Sequence, residues 1–245
     1  MSNLGRRSPT TALGSAPNRR IFAVNTAPPV NRYVDEGLIR ARLAQEGHRR
    51  VVGGLWEVMG PLQRDFLIAH GMTRSDRVLD VGCGALRAGA PIAAWLDAGG
   101  YYGIDISPGL IEAGYREEAL PAGLADKLPR DHLHVTDDFE VPFGVAFDLG
   151  LATSLFTHLP LDAFTHCLER VAHAFRPGAR LFATVFEGAG ADIQRPGGVV
   201  THDDRDPFHF PLDRIAAATP EGWAFHWIGD WGHPRGQEMV RLTRV

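Results

Sequence analysis

The residues most able to do chemistry stand in Val78-Leu79-Asp80-Val81-Gly82-Cys83-Gly84-Ala85-Leu86-Arg87 and in Tyr101-Tyr102-Gly103-Ile104-Asp105-Ile106-Ser107. The first run reads as a short buried strand that breaks into a glycine turn and then a helix. Gly82 and Gly84 let the backbone turn tightly and approach a ligand where a Cβ would clash. The second run is another apolar strand ending in an acid, Asp105, which follows Gly84 by 21 residues. That is close to the roughly 20 residues a βαβ unit needs before its ribose-binding acid. A carboxylate suits the post because it accepts hydrogen bonds from both ribose hydroxyls at once. The pattern is that of a nucleoside-cofactor site.

A dinucleotide loop carries a further glycine for close approach to its pyrophosphate, and the positions after Gly84 are Ala85, Leu86 and Arg87. Asp80 would also repel a pyrophosphate and suits a cationic ligand. At these residues the sequence resembles the class I S-adenosylmethionine-dependent methyltransferases, whose first motif is an acid-x-Gly-Cys-Gly loop. The run Ser154-Leu155-Phe156-Thr157-His158-Leu159, between a strand and a helix that Arg176-Pro177-Gly178 ends, is similar to the same family's fourth and fifth strands. The resemblance runs from about Val78 to the C-terminus. It implies an α/β fold: a doubly wound, seven-stranded Rossmann-like sheet, mostly parallel with a reversed C-terminal hairpin, preceded by N-terminal helices.

The resemblance also implies S-adenosyl-L-methionine as cofactor. Its sites would be Asp80, Gly82, Cys83 and Gly84 in the loop and Asp105 with Ile106 at the ribose. Asp137 or Asp138 would take the adenine amino group, and the backbone of Phe139 would read the ring. Thr153 and Ser154 fall at carboxyl ends of strands, where open α/β sheets bind ligands. Arg87, just past the glycine turn, is placed to grip the cofactor's carboxylate bidentately.

Methyl transfer to a protonated nucleophile needs a group to accept its proton, and histidine titrates near neutrality. His158, His209 and His233 are the candidates. His202-Asp203-Asp204 with Asp206 and His209 offers metal-ligand types in the wrong arrangement, so no metal is expected. No Gly-x-Ser-x-Gly elbow starts a hydrolase mechanism.

The elements that must position these residues follow from periodicity. Asp35–Gly47 reads as a helix, 48–60 as a glycine-bearing loop around Trp56, and a second helix begins at Pro61 and stops at Gly71. Ala88–Ala98 is the first crossover helix, Ser107-Pro108 opens a second, and Leu133–Val135 is a third strand. Phe147–Thr153 is the fourth strand. Pro160 starts a helix with Phe164, Leu168, Val171 and Phe175 on one face, and Leu181–Phe186 is the fifth strand. Gly188–Phe210 reads as a polar insertion, Pro211–Thr219 as a short helix, and Trp223–Gly229 with Glu238–Arg244 as the closing strands. The resemblance would let Trp56 and Gln63, ahead of the first strand, face the ligand, although packing on the sheet edge is the commoner fate of a buried Trp.

The 245 residues carry 25 basic and 29 acidic side chains, a net charge of −4, and 44% hydrophobic residues. That excludes a phosphate-binding field and admits one sizeable core, so neither nucleic acid nor membrane is an expected partner. Two unrelated cysteines fit a reducing, cytoplasmic setting. Residues 1–34 carry five arginines, no acid and much Ser, Pro, Thr and Asn, which reads as a disordered basic tail. Residues 35–245 then form the methyltransferase domain, with 35–72 as N-terminal cap helices. The expected partner is a small-molecule methyl acceptor; O- or N-methylation, and the oligomeric state, are left open. The rival readings are a nicotinamide-dependent oxidoreductase and a non-catalytic, cofactor-binding regulatory protein.

Overall fold

A computed structural model describes Met1, Asn31 and residues 33–245. The expected tail falls almost entirely outside the described residues. Three helices come first. α1 (Glu36–Glu46) is capped by Asp35, whose side chain accepts the Leu38 amide at 2.9 Å, as a short acid at an N-cap should. α2 (His48–Val51) is one turn. α3 (Trp56–Ala69) starts five residues ahead of Pro61 and carries that proline inside it. The helix starts early because the Gly53-Gly54 turn and the left-handed Leu55 (φ 54°) set its first residue at Trp56. Pro61 leaves the carbonyl of exposed Glu57 without an amide, and water can satisfy it there.

The chain then alternates β1 (Val78–Val81), α4 (Gly89–Trp95), β2 (Tyr101–Asp105), α5 (Pro108–Gly114), β3 (Leu133–Val135), β4 (Phe147–Ala152), α6 (Leu161–Val171) and β5 (Phe175–Val185). β6 (Asp192–Gln194) and β7 (Val200–His202) follow, then α7 (Leu212–Ala217), β8 (Trp223–Asp230) and β9 (Glu238–Arg244). Seven strands make one sheet in the order β3-β2-β1-β4-β5-β9-β8. The first five are mutually parallel, and β9 runs antiparallel to both β5 and β8. This is the expected sheet with its reversed hairpin. The direction of winding switches between β1 and β4, and at such a switch the strand ends open a crevice.

Alternate residues of β1 serve opposite faces. Val78 packs with Leu67, Ile92, Tyr101 and Phe182, whereas Leu79 and Val81 pack with Ile104, Phe164, Leu168 and Leu181. On α6, Phe164, Leu168 and Val171 are buried as their spacing predicts, but Phe175 is not their fourth member. It opens β5, opposite Phe147. Pro177 cannot donate to the ladder and Gly178 has φ 83°, so the pairing shifts register there before the strand resumes. The insertion is not a plain loop either: β6 and β7 form a hairpin of their own. Among the described residues, no helix is long and apolar enough to cross a membrane.

Candidate active site

The glycine turn and the end of β2 are bonded into one unit. Gly82 (φ 77°) and Gly84 (φ 52°) take left-handed backbone. The amides of Gly82 and Cys83 both donate to the Ile104 carbonyl, at 2.8 and 3.0 Å. The Gly84 amide donates to one oxygen of Asp105 and the Ser107 amide to the other, each at 2.8 Å. Burial raises the Asp105 carboxyl, and the amides of Ser107, Gly84 and Ile106 oppose that shift. The carboxylate is thereby aimed, with lone pairs left over for a ligand. Cys83 packs against β2, where a Cβ on Gly103 would lie 2.8 Å from its Sγ. Leu86 takes the left-handed backbone itself (φ 64°) while fully buried.

Asp80 is buried and accepts a hydrogen bond from Tyr101 Oη at 2.7 Å. Burial pushes its carboxyl up to about 7, against the pull of that bond. Arg87 does not lie on an open helix face: it donates to the carbonyls of Val52 and Gly54, both at 3.0 Å. Burial lowers its guanidinium to about 10.

These groups line a cleft of about 480 Å³ at the carboxyl ends of the strands. Gly82, Cys83, Gly84, Asp105, Ile106, Asp137 and Phe139 line it, as do Asp80, Arg87, Thr153, Ser154, His158 and His233. Asp138 points elsewhere: it is exposed and holds His166 at 2.6 Å and Arg170 at 3.1 Å. Asp137 is therefore the member of that pair at the cleft.

The three histidines separate clearly. His209 is fully buried in the insertion, with Nδ1 2.9 Å from Thr201 Oγ1 and Nε2 2.7 Å from the Gly190 carbonyl. It does not line the cleft, so it cannot take a proton there. His233 does line the cleft, but its Nδ1 accepts the amides of Arg235 and Gln237 at 3.1 and 3.4 Å. Burial first, then Arg87 and Arg235, lowers its imidazole to about 4. It is a neutral ring whose remaining nitrogen carries a proton. His158 lines the cleft with its Nδ1 on the Asp206 carboxylate.

Other residues complete the walls. The Gln63 amide donates to Thr153 Oγ1 at 2.5 Å, and its own oxygen is buried without a partner among the described residues. Ser154 (φ 57°) donates its amide to Thr184 Oγ1 at 2.7 Å, and both hydroxyls bond Gln237 Oε1. Asn31, Tyr33 and Val34, inside the stretch assigned to the tail, also line the cleft. Trp56 does not: its ring meets His48 at 5.4 Å and lies under Arg49 at 5.0 Å. Reasoning from sequence missed Tyr33, Arg235 and Gln237 as wall residues. The turn His233-Pro234-Arg235-Gly236-Gln237, polar and glycine-bearing just before the last strand, was the available signal for two of them. His202 pairs with Asp192 at 2.6 Å, and no three His, Cys, Asp or Glu side chains converge among the described residues.

A crevice at the winding switch, a left-handed glycine turn and an acid aimed by two backbone amides make a Rossmann-like fold with a ligand-sized cleft at its strand ends. Residues 79–181 match a family model described as "Methyltransferase domain". Over that stretch the chain is similar to methyltransferase domains, which supports a class I S-adenosylmethionine-dependent methyltransferase. O-methyltransferase cnsE of Penicillium expansum is 33% identical over 129 residues, which cover 51% of this chain and 44% of that enzyme. The match thus spans under half of the curated relative. Magnesium protoporphyrin IX methyltransferase of Synechocystis PCC 6803, solved with bound S-adenosylmethionine, superposes with a TM-score of 0.60 at 15% identity. That superposition covers 90% of this chain and all of the other. An amino pentose methyltransferase of Micromonospora echinaspora gives 0.55 at 18%, over 82% and 97% of the two chains.

Proposed function

We propose that this chain transfers a methyl group from S-adenosyl-L-methionine to an oxygen or nitrogen of a small-molecule acceptor, as an EC 2.1.1-type enzyme. The carrying observation is the Asp105 carboxylate, aimed by the Gly84 and Ser107 amides into a cleft that continues past the strand ends to His158. The residues fit the cofactor. Gly82 and Gly84 leave space where a Cβ would meet Leu155 at 3.1 Å and Val52 at 3.3 Å. The unpartnered Gln63 oxygen supplies a buried acceptor for a ligand N–H or O–H.

In this reading Asp105 takes the ribose hydroxyls, Asp137 the adenine amino group and the Phe139 amide the ring. Arg87 takes the carboxylate at the opposite end, and Asp80 favours the cationic ammonium beside it. Bound there, the cofactor offers a methyl group on a sulfonium that becomes a neutral thioether. The protein's own work is to align the acceptor, exclude water and receive a proton. His158 is the residue for the last task, because His209 is out of reach and His233 has its bare nitrogen occupied.

Calorimetry tests the assignment. S-adenosylhomocysteine should bind the wild-type protein, and a nicotinamide dinucleotide should not. Asp105→Ala should cost about 1.5–3 kcal/mol of that binding, the value of charge-assisted hydrogen bonds. An unchanged dissociation constant would move the ribose elsewhere.

A further inference from the structure

The hairpin insertion between β5 and α7 reaches the cleft at one point. Its Asp206 carboxylate meets His158 Nδ1, and the Phe208 amide donates to the Thr157 carbonyl at 2.8 Å. The backbone bond joins the residue before the histidine to the residue two past the acid, so it holds the two side chains in register. Both are largely withdrawn from solvent, at 20% and 15% side-chain exposure. Among the described residues, the titratable groups that meet His158 are Asp206, from the insertion, and Tyr33, from the N-terminal cap, whose ring stands edge-on at 6.0 Å.

We infer that the insertion supplies Asp206 as a positioning residue that makes His158 the general base of the proposed methyl transfer, and that the acceptor arrives carrying a proton. The inference rests on the reading of the chain as a methyltransferase. A carboxylate on Nδ1 fixes the imidazole in the tautomer with hydrogen on Nδ1, which leaves Nε2 as the bare nitrogen, and steadies the imidazolium that forms. A lone pair on the acceptor then forms the bond to the methyl carbon as the carbon–sulfur bond breaks onto sulfur, and the acceptor's proton passes to Nε2. His158 returns that proton to solvent once product leaves. Such a base is useful to a hydroxyl or to an amine that binds as ammonium. It is idle with a carboxylate, which is already deprotonated at neutral pH. The acceptor class is therefore a hydroxyl or an amine rather than a carboxylate.

Histidine NMR tests this without knowledge of the acceptor. The His158 signals are assigned by their loss in His158→Gln, and the protein is held saturated with S-adenosylhomocysteine. The neutral ring should carry its proton on Nδ1; a proton on Nε2 in the wild-type protein alone overturns the inference. Asp206→Ala should move that proton toward Nε2, and Asp206→Glu should keep it on Nδ1. An unchanged tautomer in Asp206→Ala overturns the pairing. A merely structural ion pair would give the same two results, so a third measurement addresses the reacting centre. Sinefungin carries an ammonium where the cofactor carries its methyl sulfonium. If Nε2 faces that point, exchanging S-adenosylhomocysteine for sinefungin moves the His158 Nε2 resonance. An unchanged Nε2 resonance with both ligands makes the pair structural and overturns the catalytic role. Failure of either ligand to bind at all would instead strike the methyltransferase reading.

Discussion

At the scale of single residues, charge is arranged along the cleft in a way that binding experiments can read. Arg87 is held by two backbone carbonyls and, among the described residues, has no carboxylate within ion-pair distance. Arg87→Ala should therefore weaken S-adenosylhomocysteine at least tenfold while barely touching 5′-methylthioadenosine, which has no amino-acid end. Equal loss for both ligands would put the arginine elsewhere. Asp80 gives a pH dependence. Its carboxyl sits near 7 in the fold against 3.8 ordinarily, so the ligand-free fold holds a proton that the unfolded chain gives up. Its contribution to stability is present at low pH and is lost as pH rises from about 4 to about 7. A ligand ammonium favours the ionised form, so binding expels the proton. Affinity for S-adenosylhomocysteine should climb from pH 5.5 to about 7 and then level. Calorimetry in buffers of different ionisation enthalpy should record proton release, and Asp80→Asn should abolish both effects. Much of this site was legible in the sequence, because the glycine turn, Asp80 and Asp105 act through backbone geometry and local spacing. Asp206 was not. It stands 48 residues from His158, and periodicity carries no information about a loop that folds back across a sheet.

At the scale of elements, the cleft depends on how closely α5 approaches the glycine turn. A Cβ on Gly114 would fall 2.5 Å from the Ala85 carbonyl carbon and oxygen, so Gly114→Ala must push helix and turn apart. It should cost about 1–3 kcal/mol of stability and weaken S-adenosylhomocysteine as well, since the Gly84 amide lies in the same turn. A lowered melting temperature with unchanged affinity would mean that the helix moves alone. The same scale shows what patterning can and cannot deliver. α1, β1, β2, β3, β9 and the cap at Ser107 follow from local signals and stand where those signals put them. Pro61 was misleading because a favoured first-turn residue is also tolerated one turn later, when the lost bond falls on an exposed carbonyl. Phe175 was misleading because its spacing suits a helix face, while its partner Phe147 is decided by the sheet. The hairpin in the insertion lacks the alternation that marks a strand, and its pairing shows only in three dimensions.

At the scale of the whole molecule, the segment ahead of β1 is one wall of the cleft. Tyr33 Oη donates to the Val51 carbonyl at 3.4 Å and its ring meets His158. A chain starting at Asn31 should bind S-adenosylhomocysteine as the full chain does, because it keeps Asn31, Tyr33 and Val34, the described cleft-lining residues of this segment. A chain starting at Asp35 should bind it measurably more weakly. Equal affinity of the two truncated chains would remove Tyr33 from the site. The wall is fastened by polar links. Ser107 Oγ donates to Glu36 at 3.0 Å, Arg49 and His48 meet Glu118 at 2.7 and 2.5 Å, and Arg235 holds the Gly53 carbonyl at 2.8 Å. Links of this kind are worth little each and loosen with ionic strength. Their consequence is one of timing. Under the proposed methyl transfer, the spent cofactor should leave faster as ionic strength rises, which stopped-flow displacement of S-adenosylhomocysteine would read. A wall tied by many weak links would then suit release after each transfer.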